Sequence, residues 1–238
     1  MVRGLYVAAS GMNLQTKRND VYAANLANVS TAGYRRLQAA GEGFSVEHDS
    51  GSSPERPQML MAGPSAAPVD LSPGPIAHTG TDFHLAIEGQ GLFCVQTPQG
   101  EAYTANGQFQ LNSDNVLVTH NGHPVLGQQG PMRITTGEFS VTEGGEVFDR
   151  DRAVDTLRII NPTNPAALQK LEGGLLLGGD PAPAGEGRVI QGAHEKANEQ
   201  SMQELQKMMA GMRLYEANVR TLQIQDQTIS TLLREAAG

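Results

Sequence analysis

The sequence predicts an α+β chain: an all-β central domain, barrel- or sandwich-like, between long N- and C-terminal helices that pair as a coiled-coil layer. Three observations carry this. All thirteen prolines lie between Pro54 and Pro183, so both ends are free of the residue that costs a helix interior about 3 kcal/mol. The C-terminal end holds a heptad pattern, and the middle alternates with period two.

The N-terminal segment, residues 1–36, is basic, with Arg3, Lys17, Arg18, Arg35 and Arg36 against Asp20. Steps of three and four from Leu5 reach Ala8, Met12, Gln15, Asn19, Tyr22, Leu26 and Val29. This is an amphipathic helix with a mixed seam, since Gln15 and Asn19 sit on it, and a polar seam residue fixes register at some cost in stability. Residues 37–75 carry Gly-Glu-Gly, Ser-Gly-Ser-Ser-Pro and Pro54, Pro57, Pro64, Pro68, Pro73 and Pro75. That composition predicts an extended arm.

Residues 76–191 read as the β domain. Phe83, Leu85 and Ile87 alternate, Gly89-Gln90-Gly91 breaks the run, and Leu92 to Gln96 and Glu101 to Thr104 follow. Phe109 with Leu111, Phe139 with Val141, and Leu157 with Ile159 give further short strands. Asn106-Gly107 and Asn121-Gly122 are dipeptides of the hairpin-turn type. One helical turn is expected at Ala166 to Leu171.

Residues 192–238 form the C-terminal helical segment. Leu205, Met208, Met212, Tyr215, Val219, Leu222, Asp226, Ile229 and Leu233 recur at steps of three and four, and all but Asp226 are apolar. A helix from Asn198 to Arg234 would run about 55 Å at ~1.5 Å per residue. Its other faces are Gln, Lys, Arg, Glu and Asn, so a single apolar stripe of that length needs a partner.

Composition excludes several classes. The chain has 238 residues, net charge −8 and one Cys. That leaves no disulfide framework and no multi-Cys zinc site. An acidic balance argues against nucleic acid as a partner. No apolar run nears the ~18 residues of a membrane span. The patch Leu5 to Ala9 is too brief for the apolar core of a cleaved leader.

Chemistry finds no constellation. The histidines at 48, 78, 84, 120, 123 and 194 are scattered, and His120 and His123 flank a turn without an acidic or thiol ligand at matching spacing. Cys94 lies in an apolar run and reads as a core residue. Gly89-Gln90-Gly91 is half a dinucleotide fingerprint followed by a strand, which fails as a phosphate loop. Catalytic, cofactor-binding and metal-ligating residues are therefore all expected to be none, and no small-molecule substrate is expected. A competing reading, an enzymatic or carbohydrate-binding β domain on a coiled-coil stalk, requires a concave site with convergent polar groups, and none is visible.

Asn25-Leu26-Ala27-Asn28-Val29-Ser30-Thr31-Ala32-Gly33-Tyr34-Arg35 resembles the N-terminal signature of the bacterial flagellar rod and hook proteins. Arg213-Leu214-Tyr215-Glu216-Ala217-Asn218 is similar to the C-terminal motif of that family. In the β domain, Ala86 to Phe93, Ala102 to Gly107, Gly122 to Gly127, Gly130-Pro131-Met132 and Leu171 to Leu175 resemble it too. The chain departs at Ala105, where the family usually has Arg. Its short length and the Gly122 to Gly127 motif favour a shorter rod paralogue over the distal-rod and hook proteins.

The resemblance implies a non-enzymatic structural subunit that self-assembles through its terminal helices into the drive-shaft carrying torque across the periplasm. It implies other rod subunits, proximal and distal, and further copies of the chain as partners. It also implies the flagellar type III export apparatus as the route out, without a cleaved signal peptide. The interface residues follow from the seams and signatures together: Leu5, Met12, Tyr22, Asn25, Leu26, Asn28, Thr31, Gly33 and Tyr34 at the N-terminal end, and Leu205, Met208, Met212, Tyr215, Glu216, Asn218, Val219, Leu222, Ile229 and Leu233 at the C-terminal end.

Overall fold

The computed structural model describes residues 2–39, 68–136, 138–183, 187–198 and 201–237. Most of the expected arm, residues 40–67, lies outside the described residues, as do the side chains of Leu5 and Leu233. Helix α1 runs Val2–Ala27 and helix α2 Ser201–Ala237. Between them lie β1 Ile76–His78, β2 Leu85–Glu88, β3 Leu92–Thr97, β4 Gly100–Thr104, β5 Phe109–Leu111, β6 Leu117–Thr119, β7 Phe139–Val141, β8 Glu146–Asp149, β9 Arg152–Thr156, β10 Ile159–Pro162, β11 Gln169–Lys170, β12 Leu176–Leu177, β13 Pro181–Pro183, β14 Arg188–Gln191 and β15 Ala193–Glu195. The fold is α+β. The helical turn expected near Ala166 is a single 3-10 turn, Pro165–Ala167.

The largest sheet has the order β11-β12-β4-β3-β10-β13, and smaller sheets pair β1 with β15, β14 with β2, β5 with β6, and β7-β8-β9. All the strand pairs are antiparallel. The continuous apolar run of β3 has a structural reason. Phe93 and Val95 enter one hydrophobic core with Leu85, Phe109, Leu117, Val125 and Val147. Leu92 and Cys94 enter a second with Val69, Tyr103, Ala105, Leu126 and Leu176. Both faces of the strand are buried. Cys94 is such a core residue, its thiol pushed up to about 12 by burial.

The two Asn-Gly pairs part company. Asn121-Gly122 does reverse the chain, with Gly122 at φ 82° and the Gly122 N–H on the Thr119 carbonyl. Asn106-Gly107 is no hairpin turn, because it joins β4 to β5, which do not pair. Its glycine answers a close approach instead: a Cβ there would stand 1.6 Å from the Leu85 carbonyl oxygen.

The helices pair antiparallel. Asn25 near the end of α1 meets Glu204 in the first turn of α2, Asn19 meets Gly211, and Gly11 meets Asn218. A Cβ at Gly211 would lie 2.3 Å from Asn19 Oδ1, and one at Gly11 would lie 3.2 Å from Asn218 Nδ2. Each glycine costs its helix about 1 kcal/mol in propensity, and each is where the facing asparagine seats.

Candidate functional site: the signature junction and the helix faces

At the end of α1 the signature turns the chain into a junction between helix pair and β domain. Asn25 is 1% exposed and its amide is fully used. Its Oδ1 accepts from the Leu37 N–H at 2.9 Å and the Tyr34 hydroxyl at 3.2 Å. Its Nδ2 donates to the Leu37 carbonyl at 2.9 Å and the Glu204 carboxylate at 3.4 Å. Asn28 closes the helix, donating from Nδ2 to the Ala24 carbonyl at 2.8 Å and accepting from the Thr31 hydroxyl at 3.4 Å. The Ala24 carbonyl has no helical partner of its own, because the Asn28 N–H bonds the Asn25 carbonyl instead.

Gly33 is required twice over. Its φ is 63°, and a Cβ would sit 2.1 Å from the Asn106 backbone nitrogen, so only glycine fits. Its N–H donates to the Glu195 carbonyl at 2.7 Å, which pins the turn to β15. Ala105, the departure from the family pattern, is buried directly beneath it.

Beyond Gly33 the charges are buried and matched. Arg35 and Glu195 form an ion pair with both side chains only 2% exposed, and Arg35 also donates to the Ser72 carbonyl at 2.7 Å. Burial pushes the Glu195 carboxyl up, while the Arg35 guanidinium and the Gly74 N–H pull it back. Lys170 of β11 reaches across, 3.2 Å above the Tyr34 ring centroid, and donates to the Arg35 carbonyl at 2.7 Å. Burial brings its ammonium down to about 8. Asn198 completes the knot. Its Oδ1 accepts from the Arg36 N–H at 2.8 Å, and its Nδ2 donates to the carbonyls of Asp70 and Ser72. Arg36 pairs with Asp70 at 2.7 Å.

The helix faces make a second feature. On α1, Met12, Tyr22 and Leu26 are half-buried. On α2, Glu204 and Gly211 are buried and Met208, Asn218, Val219, Leu222, Gln225 and Ile229 half-buried. In the N-terminal half of α2 the stripe facing α1 therefore lies one residue away from the apolar seam read in the sequence. Leu205, Met212 and Tyr215 stand 42%, 45% and 40% exposed, and Glu216 is exposed as well. The two stripes share Met208 and, further along, Val219, Leu222 and Ile229, while Asp226 of the seam is exposed and Gln225 beside it is half-buried.

The structure thus gathers Asn25, Asn28, Thr31, Gly33 and Tyr34 into the junction, and leaves Leu205, Met212, Tyr215 and Glu216 facing outward. Sequence reasoning missed Glu195, Asn198, Lys170 and Glu204. Arg35 beside Arg36 marked a charge to be matched, but no local pattern named its partner. No group of His, Cys, Asp and Glu that would hold a metal occurs among the described residues. Among them, too, no helix is long and apolar enough to cross a membrane.

A self-contained junction, two long terminal helices and an intervening β domain define the architecture, and comparison with known proteins identifies it. The family model described as "Flagella basal body rod protein" matches residues 5–35, a flagellar hook protein FlgE/F/G D1 domain matches 86–149, and a flagellar basal body rod FlgEFG protein C-terminal region matches 190–235. The flagellar basal-body rod protein FlgG of Buchnera aphidicola (Schizaphis graminum) is 30% identical over 98% of this chain and 99% of its own length. The rod protein FlgF of Caulobacter vibrioides is 30% identical over 91% of each chain, and FlgF of Escherichia coli 27% over 93% of each. The chain belongs to the flagellar basal-body rod protein family and is a structural subunit of the rod.

Proposed function

We propose that this subunit joins other rod subunits through the outward face of its helix pair, helices packing in coiled-coil fashion, while the β domain lies outside them. Repeated without closure, such a heterologous contact builds a helical shaft, and packed helices would carry torque along it through the periplasm. Export through the type III apparatus without a cleaved leader, a non-catalytic role, and a place among the shorter rod paralogues complete the reading.

The observation that carries it is the apolar stripe of α2. Leu205, Met209, Met212 and Tyr215 are exposed over successive turns, whereas the face turned to α1 mixes Glu204, Gly211, Asn218 and Gln225 with half-buried Met208, Val219, Leu222 and Ile229. Burying a Leu contributes about 1.5–3 kcal/mol, so a row of them left in water marks an unfinished interface. Leu205→Lys tests it against Gln203→Lys, which is also exposed but lies about 160° around the helix from Leu205. Leu205→Lys should leave secretion of the subunit intact, abolish motility, and remove the chain from purified basal bodies. Recovery of Leu205→Lys in basal bodies at the level of the control overturns the reading.

A further inference from the structure

The outward stripe of α2 is rich in thioethers. Met202, Met209 and Met212 are 66%, 49% and 45% exposed, and with Leu205 they recur at steps of three and four. The chain's other described methionines sit differently: Met132 is 1% exposed in the β core, while Met208, next to Met209 but turned toward α1, and Met12 are half-buried. We propose that Met202, Met209 and Met212 form a reversible oxidation site whose state decides whether the subunit can join the rod. The inference rests on the assembly reading above.

The chemistry requires a two-electron oxidant of the peroxide class. The sulfur lone pair attacks one oxygen of hydrogen peroxide; an S–O bond forms as the O–O bond breaks, and the departing hydroxide takes up the remaining proton as water. The thioether is oxidised by two electrons to the sulfoxide and the peroxide is reduced. Geometry makes the step selective, because the three sulfurs lie on one solvent-facing stripe and Met132 is sealed in a packed core. It also makes the step consequential. A flexible apolar side chain becomes a polar one on the very surface that has to desolvate on assembly, and a sulfoxide oxygen buried without a donor opposes burial. A thiol-dependent sulfoxide reductase returns the original surface: two thiols are oxidised to a disulfide and the sulfoxide oxygen leaves as water.

Two measurements on the full chain test this. In the first, purified subunit is exposed to dilute hydrogen peroxide and mapped by peptide mass spectrometry. Oxygen should be added at Met202, Met209 and Met212 roughly tenfold or more faster than at Met132, and the same three should be protected in purified basal bodies. Equal rates at Met132, or no protection in basal bodies, overturn the proposal. In the second, cells forming new basal bodies are given sub-lethal peroxide, carrying either the native chain, a triple Met→Leu variant at these positions, or a triple Met→Gln variant as a polar mimic. Incorporation of the native chain should fall about tenfold, the Leu variant should be spared, and the Gln variant should fail without peroxide. If the Gln variant fails but the Leu variant is not spared, the oxidation site falls while the assembly surface stands. If the Gln variant assembles normally, both fall.

Discussion

The β domain and the helix pair bury different kinds of surface. Inside the β domain, Leu85, Phe93, Val95, Leu117, Val125 and Val147 meet in a core with almost no exposure. Between the helices, Asn19, Gly211, Gly11, Asn218 and Glu204 meet among half-buried Met208, Val219, Leu222 and Ile229, while Met202, Leu205, Met209, Met212 and Ile224 point to water. Even the buried polar atoms differ. Asp149 in the β domain is saturated by Thr135 and Thr136, whereas Asn19 Oδ1 and Gln225 Oε1 on the helices, and His194 Nδ1 in β15, find no partner among the described residues. An unpaired buried oxygen costs about 1–3 kcal/mol. One region completes its own folding, and the other is half of something.

The junction is where these two regions are tied, so removing its buried carboxylate should have the largest effect. Glu195→Ala strands the Arg35 guanidinium at 2% side-chain exposure, and breaking such a pair costs about 3–5 kcal/mol. Calorimetry of the variant should show the helix pair and β domain melting separately. A single transition at the native temperature would mean that the tie lies elsewhere.

Gly211→Val acts on the helix side alone. Its side chain would meet Asn19 Oδ1, and overpacking of this kind costs about 1–3 kcal/mol. Hydrogen exchange should speed up along α1 and α2 while the amides of β3 and β4 stay protected. Equal loss in both regions would erase the distinction drawn above.

An acid titration probes the β side. Hydrogen bonds from Thr135 and then Thr136 hold the Asp149 carboxyl well below the ordinary range, to about 2. A carboxyl with a depressed native pKa stabilises the fold above its unfolded value and loses that contribution as pH falls through the native one. Native β-domain melting should therefore decline from about pH 4 toward 2, with Asp149→Asn flatter across that window. Identical slopes would remove Asp149 from the account.

The smallest effect on folding is expected from Ile224→Lys. Ile224 is 63% exposed, so subunit stability should stay within about 0.5 kcal/mol of native. A larger drop in denaturant midpoint would show that the outward face already has an occupant within the chain.

Much of this was legible beforehand. The proline distribution located both helices, and alternation located β2, β4, β5 and β7 to within a residue or two. What hydropathy hid was the face α2 turns inward, because glycine, asparagine and glutamate make no apolar pattern even where they let two backbones close. β3 hid its two cores for the opposite reason, being apolar at nearly every position. The signature residues Asn25, Gly33 and Tyr34 were legible by resemblance. Their counterparts Glu195 and Asn198 were not, since the Arg35–Glu195 contact spans 160 residues of chain and no local pattern records it.

The way Asn25 spends its amide has a consequence for recognition. Both of its donors and both of its acceptor directions end on Leu37, Tyr34 and Glu204 of the same chain, and Gly33 offers no side chain at all. A letter that is read wholly inside the chain tells one neighbour nothing that it does not tell another. Chains sharing this signature would share a shape without sharing an address. Which subunit stands above or below which must then be written in side chains the signature leaves untouched, on the outward turns of α2 and the loops of the β domain.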